Sequence, residues 1–360
     1  MRRTMPFLGV ALFAAAAVSL AGCAPDSPAG GGSANGSANA SNTGGGDLTS
    51  LVVSEPAHNL GYLPLYIAIH EGIFAEKGLD VSVTTQNTGG GAHVNAVLAG
   101  QAWGFIGGPE HNGFVKAQDS SGDTEIKAIA NVVNRGNVYL VARAGLDQGP
   151  IESIEDAANV LKGKSVVTGA YGGTPNSILR YILEVGGLST EDVKLTESAD
   201  AAAPIAIVQQ NQADFALIAD PIVAQGVAEG VWDEPIMSVP TILGDYAYST
   251  INVPTATYSA DPETAQAFVA GIAEALEIIH GDRAKAEGIA QKEFSNLDPA
   301  LISAILDRAL ADDLWPATPE ISFEATELAL KVARGAGALQ DESDPAEFED
   351  VVDLQFVEAL

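Results

Sequence analysis

Hydrophobic positions follow three regimes along this chain. An apolar run, interrupted only by Ser19, spans Pro6 to Leu20, shortly after Arg2 and Arg3. From Ala24 to Asp47 the composition turns to Gly, Ser, Asn, Ala, Thr and Pro without periodicity, which cannot bury a core and predicts a flexible spacer. After the spacer, short apolar runs alternate with amphipathic stretches. Leu51-Val52-Val53 predicts a strand, 63–77 a helix, 81–85 a strand, 93–99 a helix and 103–107 a strand. The alternation continues to about residue 240, as in α/β folds with parallel strands. Beyond Asp261 the periodicity is helical, over 262–280, 283–294, 299–311 and 320–335. Pro262, Pro299 and Pro319 sit near the starts of three of these helices, where a missing N–H costs nothing.

The α/β part carries an internal echo. Asp80-Val81-Ser82-Val83-Thr84 returns as Asp192-Val193-Lys194-Leu195-Thr196, Gln101-Ala102 returns as Gln212-Ala213, and Pro109 returns as Pro221. Each copy reads strand, helix, Gln-Ala, strand, turn, proline-started helix. Two similar lobes follow from this reading, although a shared βαβ grammar could produce the same echo by chance. The expected boundaries are 48–142 plus 247–360 for lobe I and 143–246 for lobe II. Ligands of open α/β sheets bind outside the carboxyl ends of the strands, so facing lobes would share one cleft.

The amino terminus reads as a leader. A charged start, an apolar run too short to span a bilayer, and small residues before a cut site describe a secretory signal over 1–23. Its end, Leu20-Ala21-Gly22-Cys23, resembles the bacterial lipobox, in which the cysteine is lipidated and becomes the mature N-terminus. The resemblance implies an acyl (palmitate-type) anchor on Cys23, with 24–47 as tether and the body on the extracytoplasmic face of a cell membrane. Cys23 is the only cysteine, which excludes a disulfide, a thiol nucleophile and a cysteine metal site in the body. Seventeen Lys and Arg against 47 Asp and Glu give a net charge of −30, and losing Arg2 and Arg3 with the leader takes it to −32. Such a surface repels nucleic acid and anionic lipid, so the lipid must do the anchoring.

One stretch carries a family resemblance. Gly61-Tyr62-Leu63-Pro64-Leu65-Tyr66-Ile67-Ala68, then Glu71-Gly72-Ile73-Phe74 and Lys77-Gly78-Leu79-Asp80-Val81, resemble the start of the nitrate/sulfonate/taurine/thiamine-pyrimidine-precursor family of solute-binding proteins. Leu98-Ala99-Gly100-Gln101-Ala102 is similar to that family's turn before a strand, and Gly186-Gly187-Leu188, Asp192-Val193 and Gln212-Ala213-Asp214 to its second lobe. Trp103 departs from the pattern, standing where the family has an acidic residue as Asp214 does in the second copy. The resemblance implies an α/β, type II periplasmic-binding-protein fold of two lobes, each a mostly parallel sheet flanked by helices, with a helical C-terminal region. It implies a monomeric substrate-binding lipoprotein of an ABC importer, with a small organic or oxyanion solute and the membrane permease subunits as partners.

Strand-to-helix turns place free N–H groups at a cleft and nominate the binding residues. They are Asn59, Gly61 and Tyr62 after the first strand, Gly89, Gly90 and Gly91 before the second helix, and Gly108, Glu110 and His111 after the third strand. In the second lobe they are Tyr171, Gly173 and Thr174, then Asp220. Tyr246, with Tyr62, Tyr171 and Tyr248, could supply flat amphipathic walls. Thr174-Pro175 and Asp220-Pro221 are also good cap-plus-first-turn pairs, so capping alone could account for them. Arg135 lies in a window from Lys127 to Arg143 without one acid and is the candidate partner for an anionic solute, against a plain solvated arginine. No phosphate loop, zinc-protease motif or serine nucleophile elbow is present, and His58, His70, His93, His111 and His280 lack ligand spacing. No catalytic residue, metal or cofactor is expected. Two other readings stay open: an enzyme like the family's thiamine-pyrimidine synthases, whose iron-binding cysteines this chain lacks, and a receptor that presents its ligand to a sensor.

Overall fold

The computed structural model describes residues 48–86, 91–119, 121–339 and 346–360. The leader, Cys23, the 24–47 spacer, Gly89 and Gly90 lie outside the described residues.

Ten strands build two five-stranded sheets. They are β1 (Thr49–Glu55), β2 (Leu79–Thr85), β3 (Gly104–Gly107), β4 (Ile126–Arg135), β5 (Tyr139–Ala142), β6 (Ser165–Gly169), β7 (Lys194–Ser198), β8 (Phe215–Ile218), β9 (Met237–Ser238) and β10 (Asp245–Pro254). The first sheet has the order β2-β1-β3-β10-β4 and the second β7-β6-β8-β5-β9. In each, three strands run parallel and the fourth lies antiparallel beside the third: β10 against β3, β5 against β8. The sheets are therefore mixed, each with four strands running one way and one, β10 or β5, running against them. The cause is topological, since the chain leaves one sheet and comes back, and each crossing strand enters from the opposite end.

The shared order gives the sequence echo a structural meaning: β2 and β7 are equivalent edge strands, and β3 and β8 equivalent central ones. Edge strand β2 alternates buried Leu79 and Val81 with exposed Asp80 and Ser82, as a half-covered strand requires. β3 and β8 are buried at every position and read as continuous apolar runs, including Phe105-Ile106 and Phe215-Ala216-Leu217-Ile218. Both are followed by a proline and a helix, Glu110–Gln118 after Pro109 and Ile222–Ala228 after Pro221. The boundaries shift from those expected. β5 pairs within the second sheet, so the chain crosses between Arg135 and Tyr139, and it returns between Ser238 and Asp245.

The helix expected over 63–77 is two pieces, Leu63–His70 and Ile73–Glu76. Gly72 breaks it with φ of +74°, a backbone that side-chain-bearing residues avoid. The C-terminal helices are Pro262–Gly281, Arg283–Glu293, Pro299–Ala311 and Phe323–Gly335. Asp261, Asp282, Asp298 and Ser322 cap their starts, each accepting from a first-turn backbone N–H. Pro319 does not open the last of them; its carbonyl accepts from the Asn131 N–H at 2.7 Å and ties the tail to β4. The largest core runs through both sheets and this helical tail, with Phe74 stacked on Phe268 at 4.6 Å and Trp103 tilted against Phe268 at 4.9 Å. Trp103 is thus a packing residue. Each fully buried large apolar side chain contributes about 1.5–3 kcal/mol, so this continuous core stabilises both sheets together. Among the described residues no helix is long and apolar enough to cross a membrane.

Candidate functional site

A cavity of about 230 Å³ lies where the carboxyl ends of the two parallel strand sets meet. From the first sheet it is lined by the loop after β1, by Gln86 after β2, by Gly91 and His93, and by Gly107, Gly108 and His111 after β3. From the second sheet it takes Thr168–Ala170 after β6, Ser198–Ala201 after β7, and Leu217–Pro221 after β8. Tyr248 and Ser249 of crossing strand β10 close the floor.

The loop after β1 is held by a local turn. Asn59 Oδ1 accepts from the Gly61 N–H at 2.7 Å and starts the short helical turn Leu60–Tyr62, which buries Tyr62 against the cavity. Behind it, Glu55 at the end of β1 is fully buried and accepts from Tyr66 Oη at 2.5 Å, Thr85 Oγ1 at 2.6 Å and His58 Nδ1 at 3.0 Å. His58 stacks on Phe294 at 4.4 Å, and its Nε2 lies 3.5 Å from Glu293. The Glu55 hydrogen bond, aided by both carboxylates, raises the pKa of His58 against its partial burial.

The turn after β3 carries the second group. Glu110, in the first turn of its helix, is 1% exposed, and burial pushes its carboxyl up, opposed by His111 and by the Thr174 hydrogen bond. Thr174 Oγ1 donates to Glu110 Oε1 at 2.8 Å across the gap between the sheets. His111 Nδ1 donates to the Gly108 carbonyl at 3.1 Å. The His93 ring meets His111 edge-on at 4.8 Å, and burial with the His111 neighbour lowers its pKa well below the usual imidazole value. Gly107 and Gly108 permit this crowding. A Cβ on Gly107 would approach His93 Nε2 to 3.0 Å, and one on Gly108 would collide with the Glu110 carboxylate.

In the second sheet Thr174 opens the helix Thr174–Val185 behind Gly173, and both line the cavity. Asp220 also lines it, but its carboxylate is engaged from behind: Oδ1 accepts from the Ala224 N–H at 3.1 Å and Oδ2 from Arg308 Nη1 at 3.0 Å. Burial raises the Asp220 pKa, and Arg308 opposes that rise.

A segment of the helical tail braces both rims. Arg308 holds Asp220, Asp312 accepts from Tyr139 Oη at 2.8 Å on the second sheet, and Trp315 Nε1 donates to the Gly61 carbonyl at 2.8 Å on the first.

Of the residues nominated from sequence, Asn59, Tyr62, Gly91, Gly108, His111, Gly173, Thr174 and Asp220 are brought together on one cavity. Gly61 lies behind the wall, where a Cβ would come within 2.7 Å of Asn137 Nδ2. Glu110 sits behind Gly108 rather than on the surface. Tyr246 is fully buried with no exposure, and its strand neighbour Tyr248 takes the place at the cavity. Tyr171 is turned outward, about half exposed, donating to the Gly337 carbonyl at 3.1 Å under the Arg180 guanidinium. Arg135 is not at the cavity; at the end of β4 it forms an ion pair with Asp245 of the adjacent strand. Its acid-free sequence window gave no sign of that partner, which lies 110 residues on. His58 and His93, which lie near the proposed turns in sequence, line the cavity as well, and the loop after β7 and Ser249 join it without having been nominated. The carboxyl-end rule, applied to the strand copy at 192–196, would have found the loop after β7.

Two α/β sheets joined by crossing strands around a carboxyl-end cavity make a periplasmic-binding-protein fold. The chain belongs to the NMT1/THI5-like family, whose profile matches residues 59–286. YtlA of Bacillus subtilis is 25% identical over 294 residues, covering 81% of this chain and 85% of that protein. Among solved structures, the periplasmic nitrate-binding protein NrtA from Synechocystis superposes with a TM-score of 0.66 at 17% identity, covering 87% of this chain and 88% of that one. The alkanesulfonate-binding protein SsuA from Xanthomonas axonopodis, bound to MOPS, gives 0.64 at 16% identity, covering 82% and 96%.

Proposed function

We propose that this protein is the extracytoplasmic solute-binding component of an ABC importer, tethered through a lipid on Cys23. In this reading it captures one small solute between two lobes and presents it to a membrane permease. The observation that carries the reading is the cavity itself: it is walled by strand-end loops of both sheets, so filling it couples the two halves. Family membership and the shared fold with nitrate- and alkanesulfonate-binding proteins support it. The segments 136–138 and 239–244, where the chain passes between sheets, serve as the hinge. The halves are lobes, and closing them on the solute uses its differential affinity for the closed state, with no chemical step.

The test is calorimetric. A bound solute at 100 times its dissociation constant stabilises the detergent-solubilised full chain by about 2.7 kcal/mol. A broad metabolite panel without any such shift, together with an unprocessed and unlipidated Cys23 in membrane fractions, would overturn the reading.

A further inference from the structure

The side-chain bond that joins the two halves beside the cavity shuts in an acid. Glu110, on the first sheet's side, is 1% exposed, and Thr174 from the second sheet's side covers it, donating to Oε1 at 2.8 Å. The other oxygen, Oε2, is buried without a partner. Among the described residues, the one cation-forming group paired with this carboxyl is the buried His111, whose Nδ1 lies 3.7 Å from Oε1. The other ionisable groups around the pair bring no compensating charge. Burial pushes the phenols of Tyr62, Tyr246 and Tyr248 up, so they stay neutral. Burial, with His111 beside it, lowers His93 and keeps that ring neutral as well. On the elements packed against the rest of the Glu110–Gln118 helix, Lys116 faces Asp350, Lys127 faces Glu125, and Arg334 donates to the Ala346 carbonyl.

Two arrangements of the halves therefore differ by a proton. With the halves apart, water reaches the carboxyl, and at neutral pH and above a solvated carboxylate beside a neutral imidazole carries one net negative charge. With the halves together, that charge would be sealed in with one oxygen bare and no matched cation, which is costly. One proton drawn from bulk water removes it. Whether that proton sits on the carboxyl or on the adjacent ring, the covered pair is neutral as a whole. The balance at Glu110 runs the same way: burial pushes its carboxyl up, and the opposing pulls of His111 and Thr174 do not cancel the rise.

We propose that bringing the two halves together takes up one proton at the Glu110–His111 pair, which makes capture of a solute stronger in acid than in alkali. This rests on the hinged solute-binding reading and adds its regulation. The closed form binds the extra proton, so it is fully favoured at the acid end and loses ground as pH rises through the covered pair's higher value.

The experiment needs no solute. One spin label is placed on each sheet of the full chain in detergent, through Asp80→Cys on β2 and Lys194→Cys on β7, both exposed positions. The distance between the labels is read from about pH 5 to about pH 9. The closed-to-open ratio should fall at least about tenfold over that range, since one proton allows up to about tenfold per pH unit. Glu110→Gln keeps an acceptor for Thr174 and removes the charge, so it should lose the dependence and stay closed. Glu293→Gln, which alters the separate titrating cluster at His58, should keep the dependence unshifted. A native distance that ignores pH overturns the inference, as does a dependence that survives in Glu110→Gln or vanishes in Glu293→Gln. Should Glu110→Gln not fold, the native chain and Glu293→Gln still decide. The hinged reading fails separately, if a solute that raises the melting temperature leaves the label distance unmoved at every pH.

Discussion

Thr174 opens the helix after β6 of the second sheet and Glu110 lies at the start of the helix after β3 of the first, and a single hydrogen bond of 2.8 Å joins them across the cavity. It is a direct side-chain bond between the two cavity rims, made by residues buried at 8% and 1% exposure. Thr174→Val keeps the shape and removes the donor. Leaving the Glu110 oxygen unpaired should cost about 1–3 kcal/mol of stability. Chemical denaturation of the two proteins measures this, and an unchanged midpoint would show that the bond carries no weight.

The His58 environment predicts a pH signature. Because Glu55 raises the folded-state pKa, the stability this contact supplies is fully present below the unfolded value of about 6.5 and is lost as pH rises through the higher folded value. The partners facing the ring are Glu55, Glu293 and Tyr66. Melting temperatures of the native chain and His58→Gln should differ most at about pH 6 and converge at high pH. A constant difference across that range would remove His58 protonation from the account.

Arg135→Gln tests the reassigned arginine. Its partner Asp245 is more than half exposed, and a pair of this kind is worth about 0–1 kcal/mol. Stability should fall by no more than that, and affinity for any captured solute should not change. A large affinity loss would return Arg135 to the binding site.

Cys23→Ser should leave the body folded, since no cysteine lies elsewhere in the chain. It should accumulate either as precursor or as released protein. Membrane fractionation checks this, and a mature, membrane-bound variant would rule out lipid attachment at Cys23.

The fold was more legible in the sequence than the site, for physical reasons. Period-2 alternation in β2 and the continuous runs of β3 and β8 follow directly from how many faces each strand buries, so the α/β plan was readable. Two helix starts were readable too, because Pro262 and Pro299 stand at the first positions of their helices, whereas Pro319 lies before the true start at Phe323. The lobe boundary was not: β5 is an apolar segment that could pair in either sheet, and only its contact with β8 decides. Site residues were found where backbone chemistry drives position, at Asn59, Gly108 and Thr174. They were undecided where side-chain direction decides, since Tyr246 and Tyr248 share a strand and a face yet only the second reaches the cavity. Arg135 failed because a charge finds its partner through strand pairing at long range, which local composition does not encode.

The brace from Arg308 to Trp315 makes the cavity a product of three chain regions rather than two. A chimera that grafts residues 48–254 onto another scaffold would bring every described residue that lines the cavity. It would still leave Asp220 without its guanidinium, Tyr139 without its carboxylate and the Gly61 carbonyl without its indole donor. The cavity is therefore not a transplantable module: the set of its loops is inherited only together with a tail that does not line it.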